Sequence, residues 1–169
     1  ISACLVGSEM CIRDSFNPSA ILWKIAFVEA IGGWDESLSR AQDFDITLRA
    51  MFHAPLIMKN PQGAAIYAHR NAGSISRSDS RAATQSRLKV ILGLLDGAQG
   101  TSFEQFTPLL IAKLYTVTRI AFRTGQIDLG RQGVAALKRH GFTDHPGTRS
   151  HRLVSRLIGL EAKVRLWGN

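Results

Sequence analysis

Beyond its eleventh residue the chain has no cysteine: Cys4 and Cys11 are the only two it contains. From residue 12 onward a disulfide framework, a thiolate zinc site and a cysteine nucleophile are therefore excluded. No run of about eighteen apolar residues occurs, so nothing reads as a membrane-spanning helix. Those absences suit a bacterial cytoplasmic protein. Low-complexity tracts are missing, and no segment recurs at a fixed period. Acidic residues are scarce, 13 Asp and Glu against 21 Lys and Arg, which gives a formal net charge of +8.

The N-terminal stretch also lacks the marks of a signal peptide, which needs a basic start and a longer apolar core. Glu9, Arg13 and Asp14 interrupt the apolar residues here, and the chain does not begin with Met. Leu5-Val6-Gly7-Ser8-Glu9-Met10-Cys11-Ile12-Arg13-Asp14 instead resembles the translation, in one frame, of a transposon-type sequencing adapter. On that reading residues 1–15 are non-native and native sequence begins near Phe16. The rest of the chain then carries no cysteine and a net charge one unit higher. It also falls short of the length at which a complete two-substrate α/β domain is usual.

What is present is punctuated clearly. Residues 24–31 place apolar side chains at helical spacing, and Gly32-Gly33 stops them. A second helix is expected over 43–52, with Asp43 and Asp45 in its first turn, where unpaired N–H groups and the helix dipole favour carboxylates. Phe16 to Leu22 reads as a loop entering a short strand. Leu56-Ile57-Met58 and Ala64-Ala65-Ile66-Tyr67 read as two more strands around the turn Asn60-Pro61-Gln62-Gly63. From Asp79 the pattern is helical, with helices expected over 80–95, 103–123, 128–139 and 148–166. The stretch from Lys113 to Asn169 holds eleven Lys and Arg against Asp128, Asp144 and Glu161, a net of +8. That excess fits attraction to an anionic membrane surface or a lipid-phosphate acceptor, or simply a solvated helix face. Nothing marks it for nucleic acid, since no recognition motif and no interleaved aromatics accompany the basic residues.

Gly32-Gly33-Trp34-Asp35-Glu36-Ser37-Leu38, followed four positions later by Gln42-Asp43-Phe44-Asp45, resembles the acceptor-side motif of family 2 glycosyltransferases of the GT-A fold. The stretch Tyr67-Ala68-His69-Arg70-Asn71-Ala72-Gly73-Ser74-Ile75-Ser76 resembles the family's later Y-R-x-H-x-x-S-x-S segment. The resemblance covers about sixty residues, 16–77, and departs at Gln42, where the family more often has Glu, and at Ala68, where it has Arg. It implies an α-rich α/β architecture: a truncated C-terminal half of a nucleotide-diphospho-sugar transferase domain over 16–78, with a helical extension over 79–169. A sheet truncated in this way would leave an edge exposed.

The resemblance further implies inverting transfer of a sugar from a nucleotide-sugar to a saccharide or lipid-linked acceptor. Asp43 would be the general base on the acceptor hydroxyl. Gly33, Trp34, Asp35, Gln42 and Asp45 would border the acceptor and the donor sugar, although Trp34 reads equally well as a core residue and Asp45 as a helix-start carboxylate. His69 or Arg70 would serve the diphosphate or its metal. The divalent metal, Mg²⁺ or Mn²⁺, would be held chiefly by an upstream D-x-D. The literal D-x-D at 43–45 follows the GGWDE segment and opens a helix, so it is not assigned to metal. A chain without the donor half is expected to be inactive alone, and the parent enzyme to be cytoplasmic or peripheral at the inner membrane. The alternative is a non-enzymatic basic helical domain that docks on a membrane or a partner.

Overall fold

The computed structural model describes residues 21–53, 55–58, 79–142 and 149–166, the last helix with part of its side chains. Six α-helices are found there: α1 Ile25–Ala30, α2 Gln42–Phe52, α3 Arg81–Ala98, α4 Thr107–Arg123, α5 Ile127–Arg139 and α6 Arg149–Leu166. A single 3₁₀ turn, Glu104–Phe106, leads into α4. Gly159, at φ 81° and ψ 159°, breaks α6 into two pieces. No helix among the described residues is long and apolar enough to cross a membrane.

The expectation of an α/β fold is corrected. Among the described residues the structure is all-helical and contains no strand. Leu56, Ile57 and Met58, expected as a strand, form none and are 91%, 61% and 85% exposed. A strand needs a neighbour for its N–H and C=O groups and a face to bury, and no described segment offers this stretch either. Ile21 and Leu22, the end of the first expected strand, are likewise irregular. The expected strand at 64–67 and the residues before 21 lie outside the described residues.

The helices fall close to where their periodicity places them, and the reasons are local. Ser80 caps α3, its hydroxyl accepting the Ala83 N–H at 3.3 Å. Pro108 stands at the start of α4, where its missing N–H costs nothing. The helix expected over 80–95 runs three residues further, past Gly97. That residue stays helical through Ala98, because the turn is made at Gly100, which has φ +67°.

Helices α3, α4 and α5 enclose the main core around Leu88, Leu95, Leu114, Ala121 and Leu137, each at most 1% exposed. Leu38 and Leu48 from the first half join the same cluster. Each such leucine contributes roughly 1.5–3 kcal/mol of transfer free energy. Helices α4 and α5 pack most closely of all. A Cβ built on Gly133 would stand 2.2 Å from Oγ1 of Thr118, and one on Gly130 would stand 2.7 Å from the Phe122 ring. Both glycines leave room for α4 side chains to lie directly on the α5 backbone.

Candidate functional site

The first candidate residues sit where α1 ends. Gly32, at φ +86°, follows the last turn, and its N–H bonds to the Glu29 carbonyl while Gly33 N–H reaches back to Val28. This paired closure is the Schellman end of a helix, and its left-handed residue is most easily glycine. The helix-stop reading of Gly32 is thus realised. Gly33 is also left-handed, and no atom lies within 4 Å of where its Cβ would be. Its carbonyl accepts a 2.7 Å bond from a terminal nitrogen of Arg49 on α2. Another Arg49 nitrogen bonds to the Ile31 carbonyl, so one guanidinium holds the end of α1 against α2.

That guanidinium is itself held by Asp45. Arg49 Nε and Nη2 donate to the same carboxylate oxygen at 2.9 and 2.7 Å, and the Asp45 side chain is 13% exposed. Asp45 is thereby assigned its work: it orients Arg49, one helical turn along, and through it the Gly32-Gly33 turn. Arg49 was not among the residues singled out from sequence. The Asp45–Arg49 spacing of four on a helix was the signal that pointed to it.

Asp35 is held by a different cation. It accepts from the Ser37 N–H at 3.0 Å and the Ser37 hydroxyl, closing a turn on itself, and from Lys89 Nζ of α3 at 2.7 Å. Lys89 also donates to the Ser37 hydroxyl at 2.8 Å. The Lys89 and Ser37 bonds hold the Asp35 carboxyl down at about 2. Nothing in the local sequence announces Lys89, which is 54 residues away. Ser39 is pinned to the same helix, its N–H donating to Ser86 Oγ at 3.0 Å.

Between these anchors the chain turns through Ala41 at φ 66° and ψ 19°, the one non-glycine residue with positive φ among the described residues. A left-handed L-residue costs roughly 1–2 kcal/mol, and the surrounding ties sustain it. Gln42 then bonds through Nε2 to the Leu38 carbonyl at 2.6 Å. The side-chain amide where the resembled family has Glu therefore fastens the loop, while the residue itself stays exposed.

Asp43 follows. Among the described residues its carboxylate has neither a hydrogen bond nor an ion pair, and burial raises its pKa above the ordinary carboxylate value. Phe44, beside it, is covered by Lys113 Nζ at 5.7 Å from the ring centre. Trp34, at 43% exposure, is not a core residue. It stands as a part-exposed aromatic surface on the loop between Gly33 and Asp35.

His69 and Arg70 lie outside the described residues. The divalent metal implied by the resemblance finds no site in what is described. No group of three or more His, Cys, Asp or Glu is gathered among the described residues, and the Asp45 carboxylate is committed to Arg49. Residues 43–45 therefore do not fit a metal. No family model matches the sequence, and no curated protein or solved structure is detectably similar to it.

Proposed function

We propose that residues 32–52 form the acceptor-side catalytic segment of an inverting glycosyltransferase, with Asp43 as general base. The observation that carries this reading is the contrast among three aspartates in one short segment. Asp35 and Asp45 are each tied to a cation. Asp43 is partly desolvated, has no cationic partner among the described residues and has its pKa pushed upward. A carboxylate used only to hold the fold would gain from a partner, whereas one that must take a proton is better left without one.

The chemistry asks little more. As the acceptor oxygen attacks the anomeric carbon its O–H becomes acidic, and Asp43 receives that proton while the sugar–phosphate bond breaks and the nucleoside diphosphate leaves with the electron pair. A pKa raised from the carboxylate norm brings the base closer to neutral working pH. Trp34 offers a ring face of the kind sugars pack against. On this reading a separate half of the domain holds the donor nucleotide, and residues 21–166 alone are expected to show no transfer.

The test is turnover by the complete enzyme encoded at the locus, with a panel of nucleotide-sugars and saccharide or lipid-linked acceptors. Asp43→Asn is expected to lower kcat by about 10²–10⁴-fold with donor binding near normal. An Asp43→Asn enzyme that turns over at the parent rate sinks the assignment.

A second reading has its own observation. Leu153 and Leu157, one turn apart on basic helix α6, are 59% and 75% exposed. That pairing favours peripheral docking on an anionic membrane, with or without catalysis. Salt-sensitive co-sedimentation with anionic vesicles, lost in Leu153→Ser/Leu157→Ser, is the expected result. Equal binding to neutral vesicles counts against it.

A further inference from the structure

The loop that delivers Asp43 to α2 is fastened along one side of a single helix, α3. Lys89 Nζ donates to Asp35 Oδ2 at 2.7 Å and to the Ser37 hydroxyl at 2.8 Å. One turn earlier, Ser86 Oγ accepts the Ser39 N–H at 3.0 Å and shares a 3.2 Å bond with the Ser39 hydroxyl. Residues three apart are neighbours on a helix surface, so these two side chains form one line of attachment. Between them Leu38 is 2% exposed and belongs to the core that α3 builds with α4 and α5.

Keeping the loop against the bundle does not require the polar ties. Burial of Leu38 does that, and burial is indifferent to direction. Ser86 is 5% exposed in a helix interior, where alanine has the better propensity and brings no polar atom to satisfy. Its hydroxyl is instead committed to a backbone N–H 47 residues away. What that bond adds is direction, because it fixes the peptide at Ser39, four residues before Asp43. From Ser39 the path is closely constrained. Gln42 Nε2 closes back on the Leu38 carbonyl at 2.6 Å, Ala41 takes φ 66°, and its carbonyl accepts the Asp45 N–H at 2.9 Å to open α2. The orientation at Ser39 is thereby passed to the first turn of α2, which carries Asp43. A catalytic group has need of this, since its geometry must hold to within about 0.5 Å.

We propose that Ser86 and Lys89 are positioning residues for proton transfer, acting through the loop 35–41 to set where Asp43 meets the acceptor hydroxyl. The inference rests on the reading of Asp43 as the base. It makes α3 a working part of the acceptor site, although the boundary expected at 78/79 puts that helix in the extension.

Two readouts separate positioning from simple stabilisation. In the full chain the Asp43 carboxyl is titrated by heteronuclear NMR. Burial raises its midpoint above 3.8 in the parent, and Ser86→Ala is expected to bring it back toward 3.8 as the loop slackens and water reaches the carboxyl. In the complete enzyme, assayed well below the variant's Tm, Ser86→Ala is expected to lower kcat about tenfold or more, with acceptor KM and donor binding near the parent's. Ser86→Thr keeps the hydroxyl and should recover most of that loss. Lys89→Met is expected to cost less, about threefold in kcat, because its side chain is 60% exposed and such a pair is weaker in water; Lys89→Arg should restore it. An unmoved Asp43 titration or an unmoved kcat in both Ser86→Ala and Lys89→Met overturns the proposal, whatever happens to Tm. Should Ser86→Ala fail to fold, Lys89→Met, changed on the exposed side, decides by the same two readouts. The two readings fail separately. Parent-rate turnover in Asp43→Asn removes the base and the proposal with it, whereas parent-rate turnover in Ser86→Ala and Lys89→Met beside a crippled Asp43→Asn overturns the positioning role alone.

Discussion

Residues 21–53 and residues 79–142 are both helical, yet different forces hold them. In the later stretch α3, α4 and α5 interlock through leucines with almost no exposure, and two glycines on α5 let Thr118 and Phe122 of α4 lie directly on its backbone. In the earlier stretch the apolar cluster is small. Ile31, Ile46 and Ala50 are buried, with Trp23, Phe27 and Val28 partly covering them. What fixes its shape is a set of polar ties: Arg49 to Asp45, Ile31 and Gly33; Lys89 to Asp35; Ser86 to Ser39; Gln42 to Leu38. Apolar packing gives stability with little demand on orientation, whereas charge-assisted hydrogen bonds fix angles and distances. If Asp43 is the base proposed above, a loop that presents Trp34 and Asp43 at set positions has use for the second kind.

The sharpest way to break the contrast is to open the apolar core. Leu114 is fully buried, and Leu114→Ala is expected to cost about 2–5 kcal/mol. Chemical denaturation should show the loss as a lower midpoint for the whole chain, since Leu38 and Leu48 share that core. A change confined to α4 and α5 would mean that the two regions are not cooperative.

Arg49→Met addresses the other side. It leaves Asp45 partly buried without its cation, and the Ile31 and Gly33 carbonyls without their donor. The expected loss is about 1–3 kcal/mol, read by hydrogen exchange as faster opening of residues 25–33 while α3–α5 keep their protection. Asp45→Asn in the same background should add little, because the pair is already broken.

How much of this could be read beforehand follows the same division. The helices of 79–142 announced themselves because burial writes a 3.6-residue period into the chain, as at Leu110, Leu114, Val117 and Ala121. The stop at Gly32 was legible for the same local reason. The strands were inferred from short apolar runs such as Leu56-Ile57-Met58 and their sheet from the family resemblance, but such runs have no period of their own; only a pairing partner makes them strands. In the site, Asp45–Arg49 was within reach of helical spacing. Lys89 and Ser86 join the loop from dozens of residues away, and no local pattern encodes which distant partner a side chain will meet.

The close contact of α4 and α5 gives a smaller effect. Gly133→Ala gains about 1 kcal/mol of helix propensity but pushes a methyl into Thr118, where overpacking costs about 1–3 kcal/mol. A net loss is expected in thermal or urea unfolding. Adding Thr118→Ala removes Oγ1, the closest atom at 2.2 Å, and Cγ2, leaving only Cβ at 3.0 Å, so the double variant should recover most of it. If Gly133→Ala alone proves stabilising, the helices are free to move apart.

The smallest effect separates two carboxylates by sign. Asp35 has a folded pKa of about 2 against an ordinary 3.8. Its contribution is therefore full above about pH 4 and fades as pH falls through about 2. Asp43 runs the other way. Its folded pKa is raised, so the folded state binds its proton more readily than the unfolded chain. Asp43 weakens the fold above its raised pKa, and that penalty is relieved as pH falls toward 3.8. Asp35→Asn should consequently lower Tm at pH 7 and flatten the acid limb, and Lys89→Met should mimic it. Asp43→Asn should raise Tm slightly at pH 7 and leave it unchanged near pH 3. A residue kept at a cost to stability is one that structure alone does not explain. If Asp43→Asn instead lowers Tm at neutral pH, Asp43 is holding the start of α2 together, and the claim that it is reserved for proton transfer loses its physical basis.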